Sequence, residues 1–236
     1  MSEPSQTPAG AVRVQARQEM KRAILAAGRQ RLASDGPERL SLRAVARDVG
    51  MVSSAVYRYV PSRDALLTEL IIESYDALGE AAEQAEASCP REDLGGRWQA
   101  IGRGARTWAI AHPHEWALVF GSQIPGYAAP PDTVRAASRI PVLLVALLRD
   151  CAAAGVPLPD AALPRDVEAA MAPVQEFFEG AVPAETALRG LMAWTYLVGS
   201  VSFQVFGQRT NVISPDGAAA FFDAELERIA AFVGFA

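Results

Sequence analysis

The stretch from Leu40 to Leu67, LSLRAVARDVGMVSSAVYRYVPSRDALL, constrains this chain more than any other. Leu42, Val45, Ala46 and Val49 repeat at helical spacing, the pattern breaks at Gly50, and it resumes for about two turns before Pro61. Glycine tolerates the backbone that a tight change of direction needs, and proline cannot continue a helix. Two short helices joined in this way form a helix-turn-helix, whose second helix can enter a DNA major groove.

Composition agrees with helices throughout and with a nucleic-acid partner at one end. Alanine is abundant in a chain of 236 residues that is 50% hydrophobic, and it loses no side-chain entropy on becoming helical. Runs of β-branched residues are scarce. The length suits one large domain or two modest ones. A formal charge of -5 argues against nucleic acid until its distribution is considered. Between Arg13 and Arg63 lie eleven basic and four acidic residues, a net of +7; the remainder holds eleven basic and twenty-three acidic residues, a net of -12. A basic head on an acidic body suits a module that meets phosphate joined to one that does not. Cys89 and Cys151 stand at no metal-ligand spacing and fit a reducing compartment, while a disulfide between them stays open. No apolar leader or membrane-length apolar run occurs, so a soluble, cytoplasmic protein without membrane contact is expected.

Taken in order, residues 1–16 are expected to form a flexible arm, because their start is polar, holds Pro and Gly and lacks periodicity. Arg13, Lys21 and Arg22 could brush a DNA backbone or minor groove. The head spans 17–62. Its first helix, 17–34, places Ile24, Leu25, Ala27, Gly28 and Leu32 on one side and stops at Asp35–Gly36–Pro37. Ser41 is the natural cap of the second helix. A third helix, 53–59, turns Val56 inward and leaves Ser53, Ser54, Tyr57 and Arg58 exposed. Ser62 can cap a connecting helix over 63–86, with Leu66, Leu67, Leu70, Ile71, Tyr75 and Leu78 on its buried side. The body, 87–236, reads as further helices: one carrying Trp98, Ile101, Ala105, Trp108 and Ala109, one over 133–153 kinked at Pro141, one over 165–179 containing Pro173, and two last ones over 184–206 and 216–232. The fold class is all-α.

From Ile24 to Leu67 the chain resembles the TetR family of one-component transcriptional regulators. The resemblance rests on GPERLSLRAVARDVG and on the ordered ending Tyr57–Arg58–Tyr59–Val60–Pro61–Ser62–Arg63–Asp64–Ala65–Leu66–Leu67. It implies a homodimer on double-stranded operator DNA, with an N-terminal three-helix DNA-binding domain and a C-terminal helical domain for ligand binding and dimerisation. WAIAHPHEWALVFGSQIPGYAAP resembles the C-terminal class named for its Trp-His-Gly features. Carried to this sequence, Tyr57 is the shared DNA-contact tyrosine. Tyr59 stands where histidine is commoner and Arg63 where lysine is commoner; both keep a donor for phosphate. Ser41 can combine capping with a phosphate contact. The usual Ser-x-Gly-Thr start of the recognition helix becomes Val52–Ser53–Ser54–Ala55, which loses a hydroxyl at Ala55 and leaves Ser53 available as a cap. Arg43, Ser53, Ser54, Tyr57 and Arg58 are the candidates for reading base sequence.

In the body, Trp98, Trp108, Trp116, Phe120, Tyr127, Met171, Phe178 and Trp194 are candidates to line a cavity for a small hydrophobic or aromatic effector. Arg106, His112 and Gln175 are its candidate polar contacts. The same side chains serve equally as ordinary core. The last two helices carry a broader apolar arc than one face needs. Leu188, Leu191, Val201, Phe221, Phe222, Leu226 and Ile229 are therefore candidate dimer contacts, against the alternative of a buried central helix with a surface cover. His112, His114 and Glu115 lack the separated further ligands of a zinc site, and no nucleophile–base pair completes an active centre. No metal, cofactor or enzymatic activity is expected. Repression relieved by an effector is the reading; activation, or an architectural DNA-binding role without an effector, stays open.

Overall fold

Helical periodicity carries through to the structure. The computed structural model describes residues 8–235, and these contain twelve α-helices, one 3-10 turn and no strand. The first helix, α1 (Pro8–Asp35), is 28 residues long. The arm expected over 1–16 is thus corrected from Pro8 onward, and residues 1–7 lie outside the described part. The run from Val12 to Gln18 contains no helix breaker and is rich in good helix formers, which accounts for the earlier start.

Helix α2 (Leu42–Asp48) buries Leu42, Val45 and Ala46, and α3 (Ser53–Val56) buries Val56. Between them Gly50 adopts a φ of 69°, and Met51 N–H closes the turn onto the Ala46 carbonyl at 2.8 Å. A side chain at Gly50 would cost roughly 1–2 kcal/mol in that left-handed backbone. Two capping expectations are corrected. Ser41 has the extended N-cap backbone but its hydroxyl makes no cap bond. Val52, not Ser53, occupies the N-cap position of α3. That helix is also shorter than expected, because Tyr59 and Val60 N–H both converge on the Val56 carbonyl and tighten its end.

Two elements tie head to body. In α4 (Arg63–Ala87), Ser62 Oγ accepts from Ala65 N–H at 3.0 Å, the cap expected of it. Leu66, Leu67, Leu70 and Ile71 of α4 lie in the core of the head, while Leu78 and Ala82 lie in that of the body. The second tie is α6 (Pro113–Phe120): Trp116 belongs to the body core, yet Leu118, and Ile124 just beyond the helix, belong to the core of the head. Between them α5 (Leu94–Ala111) packs so closely along α4 that a Cβ at Gly104 would stand 2.7 Å from the Ala81 carbonyl oxygen.

The proline expectations need correction. In place of one kinked helix, α7 (Thr133–Ala137) and α8 (Arg139–Ala153) separate at Ser138, since Pro141 has no N–H for the Ala137 carbonyl. Likewise α9 (Arg165–Ala170) and α10 (Ala172–Phe178) separate at Met171, ahead of Pro173. The chain then forms α11 (Ala184–Val205), a 3-10 turn (Pro215–Gly217) and α12 (Ala218–Val233). No described helix is long and apolar enough to cross a membrane. Cys89 and Cys151 are free, and burial pushes the Cys151 thiol up to about 11.

Candidate functional site

Helix α3 and the turn that follows it show one face outward. Ser54, Tyr57 and Arg58, at i, i+3 and i+4, are exposed, opposite the fully buried Val56. Arg43 on α2 is exposed as well, whereas Ser41, Ser53, Tyr59 and Arg63 are half-buried. Arg63 is partly committed: Nη2 donates to the Pro37 carbonyl at 2.9 Å, which braces the α1–α2 turn. Tyr59 packs against the head core and lies under Arg17, whose guanidinium is 5.5 Å from its ring centroid. The same Arg17 donates from Nη2 to the Arg58 carbonyl at 2.9 Å. Sequence reasoning passed over Arg17, because nothing in its local pattern reveals a partner 41 positions away.

Ion pairing inside the head sharpens its positive charge. Arg31 grips Asp48 through Nε at 2.7 Å and Nη2 at 2.8 Å, and reaches Asp35 at 3.0 Å. Hydrogen bonds from this guanidinium hold both carboxyls below the usual aspartate range. Two of the four acids between Arg13 and Arg63 are thereby spent on one arginine. Among the described residues, no carboxylate lies within 4.0 Å of Arg43, Arg47 or Arg58. Exposed arginines on α2 and next to an exposed tyrosine after α3 are groups that can meet phosphate and base edges.

Most of the body aromatics fill the core instead of a cavity. Trp98 is completely buried and donates from Nε1 to the Leu226 carbonyl at 2.9 Å. Trp108 is buried under His112, ring to ring at 5.0 Å, and His112 Nδ1 lies 2.9 Å from the Trp108 carbonyl. Trp116 is buried and donates to Ser202 Oγ at 3.1 Å. Arg106 is held by Gln204 at 2.7 Å and lies over the Phe222 ring, with burial drawing its pKa down. Tyr127 pairs its hydroxyl with Thr68 Oγ1 at 2.9 Å and lines a separate groove of about 870 Å³ with Tyr75, Val119 and Thr133, whereas Met171 is buried. Gln175 is half-buried, its Nε2 without a partner. Phe178 and Trp194, however, do line a cavity of about 340 Å³ between α8, α10 and α11. Leu144, Leu148, Val174 and Leu191 share its wall, which contains no ionisable side chain.

The apolar arc of α11 and α12 divides. Val201, Phe222 and Leu226 are at most 2% exposed and belong to the core of the protomer itself, which corrects their assignment as dimer contacts. Leu188 and Ile229 are half-buried against that core. Leu191 and Phe221 remain outside, joined by Met192, Tyr196, Phe203 and Phe232. Buried Glu225 ties this face together: it accepts from Tyr196 Oη at 2.8 Å, Ser200 Oγ at 2.6 Å, and both Arg209 terminal nitrogens at 2.8 and 3.0 Å. Arg209 in turn lies against the Phe203 and Phe221 rings.

Comparison with known proteins follows the same division. Residues 24–70 match the profile of bacterial regulatory proteins, tetR family, and residues 98–229 match the tetracyclin repressor-like C-terminal domain. The chain is 38% identical over 226 residues to the HTH-type transcriptional regulator Rv1816 of Mycobacterium tuberculosis (strain ATCC 25618 / H37Rv), covering 92% of this chain and 93% of that protein. HTH-type transcriptional regulator Mb1846 of Mycobacterium bovis matches to the same extent. The crystal structure of putative regulatory protein SCO4313 aligns at 30% identity and a TM-score of 0.73, over 92% of this chain and 98% of that one. A protein of unknown function from Rhodococcus sp. RHA1, 24% identical, shares the fold with a TM-score of 0.64 over 88% and 93% of the two chains.

Proposed function

The chain belongs to the TetR family of DNA-binding transcriptional regulators, and from that premise we propose that it is a homodimeric repressor released from its operator by a small uncharged apolar effector. The observation that carries this reading is the position of α6. Trp194 of the cavity wall lies 6.1 Å from Phe120 at the end of α6, ring centroid to centroid, and Phe120 contacts Trp116 at 4.4 Å and Tyr75 at 5.8 Å. Midway between Trp116 and Phe120 on the same helix, Leu118 is packed in the head. A ligand pressing on Trp194 therefore has a continuous packed path to the support of the recognition helix.

The cavity sets the effector class. Its volume falls in the range of small-ligand sites, and a charged ligand would meet no counter-charge on its largely apolar wall. The two protomers are joined in this reading through the exposed face of α11 and α12, which presents Leu191, Met192, Tyr196, Phe203 and Phe221. The segment from Trp108 to Pro130 supports placing the body in the Trp-His-Gly class. Regulation follows only if the ligand binds the two head orientations with different affinity; inverting a 99:1 population takes about 5.5 kcal/mol of difference.

The test is an operator titration at fixed salt with and without an uncharged aromatic compound that raises the thermal midpoint of the protein. Weaker operator binding at saturation is expected, and Val174→Trp, which fills the cavity, should bind the operator while ignoring the compound. Operator affinity that is equal at ligand saturation and in its absence rejects control through this cavity.

A further inference from the structure

We propose that Val52 reads a thymine methyl group in the major groove, and so is a specificity-determining residue of this regulator. The proposal rests on the DNA-binding role of the family and is independent of the effector. Val52 is 70% exposed, whereas its apolar neighbours Val49, Met51 and Tyr59 pack against the head core and Val56 is fully buried. Its backbone, at φ -67° and ψ 139°, is extended. It therefore leaves the buried stripe on which spacing of four from Val56 would put it in a continuous helix.

Stability does not account for a valine there. The position immediately before α3 is one where a hydroxyl or carboxylate would bond the first free N–H groups. Val52 makes no such bond, and it gains no packing in exchange. Between residues 17 and 63 it is the most exposed large apolar side chain among the described residues. Further along the same segment Ser54, Tyr57 and Arg58 are exposed as well and offer polar atoms.

Major-groove chemistry supplies the missing partner. Residues at the start of a recognition helix reach base edges, and the thymine C5 methyl is the apolar group that base pairs present in that groove. A valine covers it by mutual burial of hydrocarbon and leaves no donor or acceptor unpaired. Only the side chain is invoked; no ligand is assigned to the N–H groups of the helix.

The experiment begins with a duplex selected from a random library by the full-length protein. Each thymine is then replaced in turn by uracil, which removes the C5 methyl and nothing else. Wild type is expected to lose about fourfold in affinity at one thymine per half-site, the effect of withdrawing one buried methyl group. At that position Val52→Ala and Val52→Ser should bind thymine and uracil duplexes equally. Val52→Ser also restores a capping hydroxyl, so its thermal midpoint should hold or rise while the methyl preference disappears; lost folding cannot then explain the result. Uracil penalties that are the same in wild type and variants, or absent at every position, overturn the proposal. Failure of the protein to select any duplex overturns both the proposal and the DNA-binding reading beneath it.

Discussion

Arg17 on α1 donates to the Arg58 carbonyl, 2.9 Å away, in the turn that follows α3, and lies over the Tyr59 ring as it does so. A helix of four residues has few bonds of its own to fix its direction. Arg17→Ala is expected to weaken operator binding by roughly fivefold, the effect of about 1 kcal/mol for one exposed hydrogen bond. Because this role is positioning, the dependence of affinity on salt should keep its slope. A slope shallower by about one would instead put Arg17 on a phosphate.

Tyr57 is 47% exposed and outside the core, so its removal separates recognition from folding. Tyr57→Ala is expected to lower specific affinity about tenfold or more, with an unchanged thermal midpoint and an unchanged sedimentation profile. Titrations on specific and unrelated duplexes at one salt concentration check this.

Glu225 concentrates four acceptor contacts in a site only 7% exposed. Glu225→Gln leaves the Arg209 guanidinium without its counter-charge and should cost about 3 kcal/mol. Because Arg209 also supports Phe203 and Phe221, the dimer should dissociate at higher protein concentration than wild type. Urea unfolding and sedimentation equilibrium measure the two effects separately.

Acid should loosen the head. Hydrogen bonds from Arg31 lower the Asp35 and Asp48 pKa values in the folded state. A carboxyl with a depressed folded value stabilises fully above its unfolded pKa, about 3.9 for aspartate, and loses that contribution as pH falls through the folded value. Stability should therefore decline from about pH 4 downward, and Arg31→Gln should flatten that decline. Near neutral pH the variant should lose little, since both aspartates are exposed and screened. Urea midpoints measured across the acid range for both proteins test the sign.

Much of this architecture is legible in the residue pattern, for identifiable reasons. The spacing of Leu66, Leu67, Leu70, Ile71 and Leu78 gives α4, because an amphipathic stripe is a local property. Gly50 marks the turn because its backbone requirement is local too. Core and cavity are harder to separate, since both use the same apolar residues at the same 3.6-residue period. Trp98, Trp108 and Trp116 thus look like pocket walls in sequence and are core in space. The bridge through Leu118 and Ile124 depends on long-range packing that no local pattern encodes. Pro141 and Pro173 locate the breaks in the body, because each lacks the N–H that would continue the helical ladder.

The central claim, that a ligand in the α8–α10–α11 cavity resets the heads, is tested most directly by the distance between the two heads of the dimer. A nitroxide on Glu38→Cys in a Cys89→Ala background reports it by pulsed electron resonance, since Glu38 is exposed in the α1–α2 turn. A narrow distribution is expected on operator DNA, where half-sites one helical turn apart, about 34 Å, fix the heads. A cavity-binding compound at saturation should displace that distribution as the operator is released. Head-to-head distributions that superimpose with and without the saturating compound would contradict the claim.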